Sequence, residues 1–279
     1  MADQKVWFIT GVARGFGKVL TEHALAHGDI VIGTTRDGKA TFSGDTRNVH
    51  LLPLEMTDPA AIRATIAKAH ALHGRLDVVV NNAGYGLLGS VEEATEEQVT
   101  HLFEVNFHGT RRVVQAVLPF LRRQRSGHIL NITSIAGLAP GAGSGFYAAS
   151  KFAVEGFTQS LAQEVAPLGI KVTLVEPGAF RTDFLSDRSI RNIAQEIADY
   201  APTAGAAQAT LAKMAGRQIG DPLKGAAAIF QIVREPKPPL HLLLGSDALR
   251  RTRDKQVQLS ADLQRWETLT LGTDFPTGT

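Results

Sequence analysis

Tyr147 and Lys151 stand four residues apart in the run Tyr147-Ala148-Ala149-Ser150-Lys151. On a helix that spacing stacks both side chains on one face and brings the ammonium close to the phenol. A free tyrosine titrates near pKa ~10 and is a poor acid or base at neutral pH. A fixed cation nearby favours the phenolate and moves that value toward the working range. The pair is a candidate proton donor, although an exposed tyrosine beside a solvated lysine would satisfy the same spacing.

A second candidate chemistry lies near the N-terminus, in Thr10-Gly11-Val12-Ala13-Arg14-Gly15-Phe16-Gly17. Glycines at 11, 15 and 17 allow a tight turn and close approach of the backbone to a pyrophosphate. A helix starting there supplies N–H donors and favourable dipole charge. The motif alone also fits a ligand-free turn; its place directly after an apolar strand favours a dinucleotide. The next apolar run ends Gly33-Thr34-Thr35-Arg36, with no acid before the arginine. An acid there would receive the ribose hydroxyls of NAD, whereas Arg36 and Arg14 could together meet a 2′-phosphate. The expected cofactor is NADP(H); Asp37, directly after Arg36, argues the other way.

These residues need a scaffold that holds loops at one sheet edge, and the apolar pattern supplies it. Short β-like runs at 5–10, 29–35, 49–54, 76–80, 127–133, 170–176 and 239–244 alternate with amphipathic stretches at 15–27, 59–73, 96–122, 147–166 and 221–233. That alternation predicts an α/β fold, a single Rossmann-type domain with a seven-stranded parallel sheet doubly wound by helices. Thr57-Asp58-Pro59 marks a helix start. Residues 182–220 interrupt the alternation and read as a two-helix substrate lid, 247–269 as an added C-terminal helix, and 272–279 as a loose tail. Thr10, Asn81, Ser134 and Pro177 each fall at the C-terminal end of a predicted strand, the edge at which open α/β sheets bind ligands.

Composition narrows the function classes. A chain of 279 residues with 44% hydrophobic content can bury the core of one large domain. A net charge of +2 without any Lys/Arg block argues against a nucleic-acid partner, and Arg250-Arg251-Thr252-Arg253 reads as a solvated helix face. The chain has no cysteine, which excludes disulfides, thiol nucleophiles and Cys-ligated metals and suits a reducing cytosol. A strand beginning at residue 5 leaves no room for a signal peptide, and no apolar run reaches membrane-spanning length. The expectation is a cytoplasmic protein with no membrane partner. His70 and His73 share a helix face but lack a third ligand, so no metal site is expected. His108 is close to Asn106 and is assigned no role.

From about Val6 to Leu244 the chain resembles the short-chain dehydrogenase/reductase family. The resemblance rests on the Gly11, Gly15 and Gly17 spacing, on Asn81-Asn82-Ala83-Gly84, on Asn106 within Val105-Asn106-Phe107, on Ser134 thirteen residues before Tyr147, and on Pro177-Gly178 with Thr182. Glu55, in Leu54-Glu55-Met56-Thr57-Asp58, departs from the family's usual Asp beside the adenine. The resemblance implies a catalytic tetrad of Asn106, Ser134, Tyr147 and Lys151. It also implies a cofactor site drawn from Gly11, Arg14, Gly15, Phe16, Gly17, Arg36, Glu55, Met56, Asn82, Ala83, Gly84, Tyr147, Lys151, Pro177, Gly178 and Thr182.

In that scheme Tyr147 protonates the developing alkoxide, Ser134 donates to the same oxygen, and Lys151 lowers the tyrosine pKa and holds the nicotinamide ribose. Asn106 holds a water that links Lys151 to solvent. The activity implied is reversible reduction of a ketone or aldehyde to an alcohol, on a small-molecule partner, by a homodimer or homotetramer joined through 96–122 and 147–166. Leu138, Phe146, Phe180, Phe184 and Leu185 are the expected walls of a roomy apolar pocket. Alternatives are a hydroxysteroid-type reductase, a 3-oxoacyl-carrier-protein reductase docked through Arg181, Arg188 and Arg191, a non-catalytic NADP-binding regulator, and a sugar-nucleotide epimerase, whose glycine spacing differs.

Overall fold

The computed structural model describes residues 4–186, 189–193 and 197–275; Arg188 and the last four residues of the expected loose tail lie outside them. The chain runs β1 (Val6–Thr10), α1 (Gly15–Ala26), β2 (Ile30–Thr35), β3 (Val49–Pro53), α2 (Pro59–His73), β4 (Val78–Asn81), β5 (Gly86–Leu88), α3 (Glu96–Phe103), α4 (Thr110–Gln124), β6 (Gly127–Ile132) and α5 (Gly145–Val165). It continues with β7 (Ile170–Pro177), β8 (Ile190–Asn192), α6 (Ala206–Met214), α7 (Pro222–Arg234), β9 (His241–Leu244) and α8 (Ser246–Leu271).

Seven strands form one parallel sheet in the order β3-β2-β1-β4-β6-β7-β9. The order reverses between β1 and β4, which opens a crevice at the C-terminal strand ends where ligands of such sheets bind. Every residue of β1 is buried, as a central strand covered on both faces requires. On one face Phe8, Ile32 and Ile129 pack against Ile62, Val113 and Leu161 of α2, α4 and α5. On the other, Trp7, Ile9 and Val31 meet Leu20 of α1 and Ile229 of α7.

Local sequence explains the helix starts. Asp58 caps α2 through Ala60 N and Ala61 N at 2.8 and 3.0 Å, with Pro59 in the first turn. Thr95 and Gln98 form a capping box on α3. The helix expected over 96–122 forms as one rod, α3 to α4, but a π-helical turn at Glu104–Gly109 interrupts its ladder. Such turns recur at functional sites, and this one carries Asn106.

The segment 182–220 departs from the two-helix expectation. Its described part holds β8 and a single α-helix, α6, reached through short turns at Ala198–Tyr200 and Ala201–Gly205. The physical reason is an available edge after β4: β5 presents unpaired backbone, and β8 docks on it in parallel, with Gly86↔Ile190 and Leu88↔Asn192 in register. Gly86 N donates to Ser189 O at 2.8 Å and Ile193 N to Leu88 O at 3.0 Å. Among the described residues no helix is long and apolar enough to cross a membrane.

Candidate active site

The crevice is one cavity of about 1420 Å³ that runs from the glycine turn after β1 past the C-terminal ends of β4, β6 and β7. Thr10, at the end of β1, organises the cofactor end. Its hydroxyl accepts from Asn82 N and Ala83 N, both at 3.0 Å. Asn82 Nδ2 returns two hydrogen bonds of 2.9 Å to Thr10 O and Gly11 O. The Asn82-Ala83-Gly84 segment is thus latched to the glycine turn rather than merely alongside it. Gly11 and Gly15 adopt φ of 74° and 58°, the left-handed region that a side chain would strain.

A Cβ on Gly17 would collide with Gly11 O and Asn82 Nδ2. The turn therefore has room only for glycine and leaves the start of α1 open to the cavity, a cradle that fits a dinucleotide pyrophosphate. Phe16 packs on Phe180 at 4.9 Å, and Thr182 approaches within 4.0 Å of where a Gly15 side chain would begin, so the segment after β7 lies over the turn.

At the adenosine end, Arg14, Arg36, Glu55 and Met56 line the same cavity. Arg14 Nε donates to Ser189 Oγ at 2.9 Å. Asp37 is turned onto its own loop, where its carboxylate accepts from Thr35 Oγ1 and Lys39 N at 3.0 and 3.1 Å. Those bonds hold its pKa below the usual carboxylate value, the Lys39 amide contributing most. Glu55 leans on Thr57, 3.3 Å from both its amide and its hydroxyl.

Pro177, Gly178, Tyr147 and Lys151 border the middle of the cavity. Gly178 N donates to Leu244 O at 2.8 Å, and the carboxylate of Asp247 in α8 accepts from Ala179 N at 2.8 Å. The C-terminal extension therefore fixes the wall opposite Tyr147.

The four expected catalytic residues converge from three elements. Ser134 ends the β6 excursion and caps a short turn, its Oγ accepting from Ala136 N at 3.1 Å. Tyr147 and Lys151 lie on α5, 7% and 6% exposed. Burial pushes the Tyr147 phenol up to about 12, opposed by a hydrogen bond with Ser134. The expectation that Lys151 lowers this value is corrected by geometry. Lys151 Nζ donates to Ile132 O at 2.9 Å and sits 5.8 Å from the phenol ring centroid. Burial in turn brings Lys151 down to about 8, with Glu155 pulling it back up.

Asn106 Nδ2 donates to Tyr85 O at 2.9 Å and Ser150 Oγ at 3.1 Å, while its Oδ1 accepts from Tyr85 N at 3.0 Å. Its side chain braces the backbone beside Lys151, since a Cβ on Gly84 would lie 3.1 Å from Asn106 Oδ1 and 3.6 Å from Lys151 Nζ.

Of the expected substrate walls, Phe180, Phe184 and Leu185 line the cavity, and Phe184 packs on the Tyr147 ring at 5.9 Å. Leu138 and Phe146 do not. Leu138 joins Ile135, Ala139 and Ala248 under the root of α8, and Phe146 packs with Tyr85, Leu87 and Ile193 beneath β5 and β8. Both are near Ser134 and Tyr147 along the chain, yet each side chain packs into a separate apolar cluster and not into the cavity lining. The wall missed by sequence reasoning is Tyr85, whose Oη lies 2.8 Å from His101 Nδ1 and whose ring carries Arg191 at 4.7 Å. Its place directly after Asn-Asn-Ala-Gly was the available signal.

A second missed group sits behind Lys151. Glu155, one turn further along α5, meets Glu176 of β7 and His241 of β9, with ligand-type atoms within 4.8 Å of one another. His241 Nδ1 is 2.5 Å from Glu176 Oε1 and 3.9 Å from Glu155 Oε2. Burial pushes Glu155 up to about 7; the neighbouring Glu176 adds to the rise, and Thr133, His241 and Lys151 oppose it.

Glu155 is therefore charged above about pH 7, and Lys151 holds its proton below about pH 8. The two charges coexist mainly between those values. Glu155→Gln removes the anion, so Lys151 should lose its proton at lower pH and the alkaline fall in kcat/KM should begin earlier. At pH 8.5 the variant should be several-fold slower, converging with the parent below pH 7, where the parent's own Glu155 carboxyl is protonated and as neutral as the glutamine amide. A pH–rate series on both proteins reads this directly, and superimposable profiles would refute the coupling.

Comparison with known proteins adds the following. The family described as short chain dehydrogenase matches residues 5–192. The 3-ketodihydrosphingosine reductase of Bacteroides thetaiotaomicron is 39% identical over 241 residues, covering 86% of this chain and 88% of that protein. The crystal structure of a short-chain dehydrogenase from Streptomyces avermitilis superposes with a TM-score of 0.91 at 39% identity, covering 98% of this chain and all of that one. ElxO with NADP bound aligns at a TM-score of 0.73 and 27% identity, over 89% of this chain and 100% of its own.

Proposed function

The chain belongs to the short-chain dehydrogenase family, and on that premise we propose that it is an NADPH-dependent reductase of apolar ketones or aldehydes, working reversibly. The observation that carries the reading is a single cavity joining the glycine cradle and two arginines at one end to Tyr147 and Ser134 in the middle. Its volume exceeds the roughly 300–1,000 Å³ of ordinary small-molecule pockets, which leaves space for a substrate beside a dinucleotide.

The nicotinamide of such a cofactor supplies the hydride, or takes it in the reverse direction. The chain supplies the rest. Tyr147 Oη gives its proton to the substrate oxygen, and Ser134 Oγ–H donates to the same atom, orienting the carbonyl and stabilising its charge. Lys151 keeps a positive charge beneath that oxygen. Asn106 keeps Tyr85 and the Gly84 turn packed against Lys151.

Leu88, Phe184, Leu185, Leu211 and Met214 make the substrate end apolar, with Tyr85 and His101 as its polar pair. Carrier-protein docking is disfavoured by the arginines that would serve it. Arg181 donates to Gln218 O at 3.1 and 3.3 Å, and Arg191 is stacked on Tyr85. A long-chain keto lipid, the class named for the Bacteroides relative, suits the apolar end.

The test is cofactor consumption with NADPH and NADH over aliphatic, aryl, steroid and β-ketoester carbonyls. NADPH should be preferred and long apolar ketones turned over fastest. Arg36→Asp, at an exposed position, should raise KM for NADPH by roughly 10- to 100-fold through loss of a charge-assisted contact, with little change for NADH. Equal use of both cofactors by the parent would sink the NADP assignment. NADPH binding without turnover of any carbonyl would leave a cofactor-binding regulator.

A further inference from the structure

The described residues expose thirteen large apolar side chains, and seven of them lie on α8: Leu249, Val257, Leu259, Leu263, Trp266, Leu269 and Leu271. Only the root of this 26-residue helix is anchored. Ala248 is fully buried with Ile135 and Ala139, Asp247 holds Ala179 N, and Arg251 donates to Ala139 O. From Arg253 to Phe275 every residue is exposed. At about 1.5 Å per residue, some 25 Å of helix projects from the body. A lone helix of that length is marginal in water and gains its stability from packing an apolar face.

That face exists. With about 3.6 residues per turn, Leu259, Leu263 and Trp266 fall on one side, in line with Thr252 and close to the side by which Ala248 is buried. The stripe that packs on the body at the root thus continues outward, where no described residue of its own chain covers it.

Charge along the helix identifies the occupant. Residues 250–255 hold Arg250, Arg251, Arg253 and Lys255 against one Asp254, whereas 262–274 hold Asp262, Glu267 and Asp274 against one Arg265. A basic first half and an acidic second half are complementary only when two such helices run antiparallel. We propose that α8 pairs with the partner subunit's α8 about a twofold axis at Leu259, making the protein a dimer through its C-terminal extension. In that register Leu259 meets its own copy and Trp266 covers the partner subunit's Thr252. On one flank Arg253 faces the partner subunit's Glu267; on the other Lys255 faces the partner subunit's Asp262.

The apolar stripe centres the pairing at residue 259 and the two charge pairs centre it at 260 and 258.5, all within about one residue of Leu259 and so within reach of long side chains. A self-complementary patch of this kind closes at two subunits. The helices 96–122 and 147–166, the interface implied by family resemblance, offer less. Among the described residues α4 exposes no large apolar side chain and α5 exposes only Phe152.

The absence of cysteine makes the test clean. Leu259→Cys, in the full chain under mild oxidation, should give a covalent dimer rapidly. Val257→Cys, 71% exposed on the opposite side of the helix, should cross-link at least tenfold more slowly. Light scattering at micromolar concentration should show a dimer for the parent, dissociation for Glu267→Arg, and recovery for Glu267→Arg combined with Arg253→Glu. All of these positions are exposed, so folding is not at stake, and circular dichroism checks it. A monomeric parent overturns the proposal. So does a dimer indifferent to Glu267→Arg, or equal cross-linking at positions 257 and 259.

Discussion

Tyr147→Phe should lower kcat by roughly 10³-fold or more while leaving NADPH affinity nearly unchanged, the range spanned by loss of a positioned general acid. The phenol is buried in the cavity wall, and burial pushes its pKa up to about 12, so it stays protonated throughout the working range. Such a group is a good acid toward an alkoxide, which is more basic still, whereas the phenolate that the reverse direction needs as base is scarce at neutral pH. Reduction should therefore outpace alcohol oxidation at neutral pH. Phenylalanine keeps the ring against Phe184 and under Lys151, so shape and packing are retained and only the O–H is lost. The stability cost should be about 1 kcal/mol, that of one hydrogen bond with Ser134. Stopped-flow transients would place the loss in the chemical step. Turnover within tenfold of the parent would show that the substrate oxygen takes its proton from elsewhere.

The seven strands of the main sheet and the helix starts were legible because their signals are local. β1 is apolar up to its last residue, Thr10, Asp58-Pro59 announces its helix, and Gly11, Gly15 and Gly17 sit where a turn demands them. That Ser134, Tyr147 and Lys151 would border one cavity was legible through their spacing along the chain. What sequence reading missed depends on contacts between distant segments. β5 and β8 are three residues each, and their pairing joins Gly86 to Ile190 with no periodicity in either. The lid reads as two helices only because it interrupts the strand–helix alternation; an available strand edge takes 190–192 into β8 instead. Leu138 and Phe146 were assigned to the pocket from proximity in sequence, whereas loop direction sends them into separate packing clusters. Glu155 was visible eight residues after Tyr147 on the same helix face. Its importance appears only when β7 and β9 bring Glu176 and His241 against it.

The Lys151 correction has the same origin. Spacing on α5 brings the ammonium near the phenol, yet the Ile132 carbonyl captures it and burial dominates both groups. A cation 5.8 Å from a ring centroid still stabilises an anion forming there. Its larger contribution in the free protein is to place a charge between the proton donor and Glu155. The Tyr147 phenol is therefore held in its protonated form by burial, and the charge of Lys151 behind it is supported by Glu155, a carboxylate outside the Tyr147–Lys151 spacing.

Gly17→Ala should be the most damaging single-methyl change in the chain, because one added carbon strikes two partners of the cofactor cradle at once. The new Cβ would overlap Gly11 O and Asn82 Nδ2. Those two atoms are themselves hydrogen-bonded at 2.9 Å, and Asn82 also holds Thr10 O. Neither can retreat cheaply, since Gly11 is backbone in a left-handed conformation and Asn82 is latched at both its amide ends. Relief must come from displacing α1 or breaking the latch, and overpacking of this kind costs roughly 1–3 kcal/mol. Either route moves the N–H groups at the start of α1 away from the pyrophosphate, so NADPH affinity should fall by at least 100-fold. Gly156→Ala supplies the control, for it lies within α5 with nothing inside 4 Å of a new Cβ. There alanine should be neutral or add up to about 1 kcal/mol by reducing unfolded-chain entropy. Urea unfolding and NADPH fluorescence titration of the two variants separate the effects. Wild-type affinity in the Gly17→Ala protein would mean that the turn is not where the cofactor's phosphates sit.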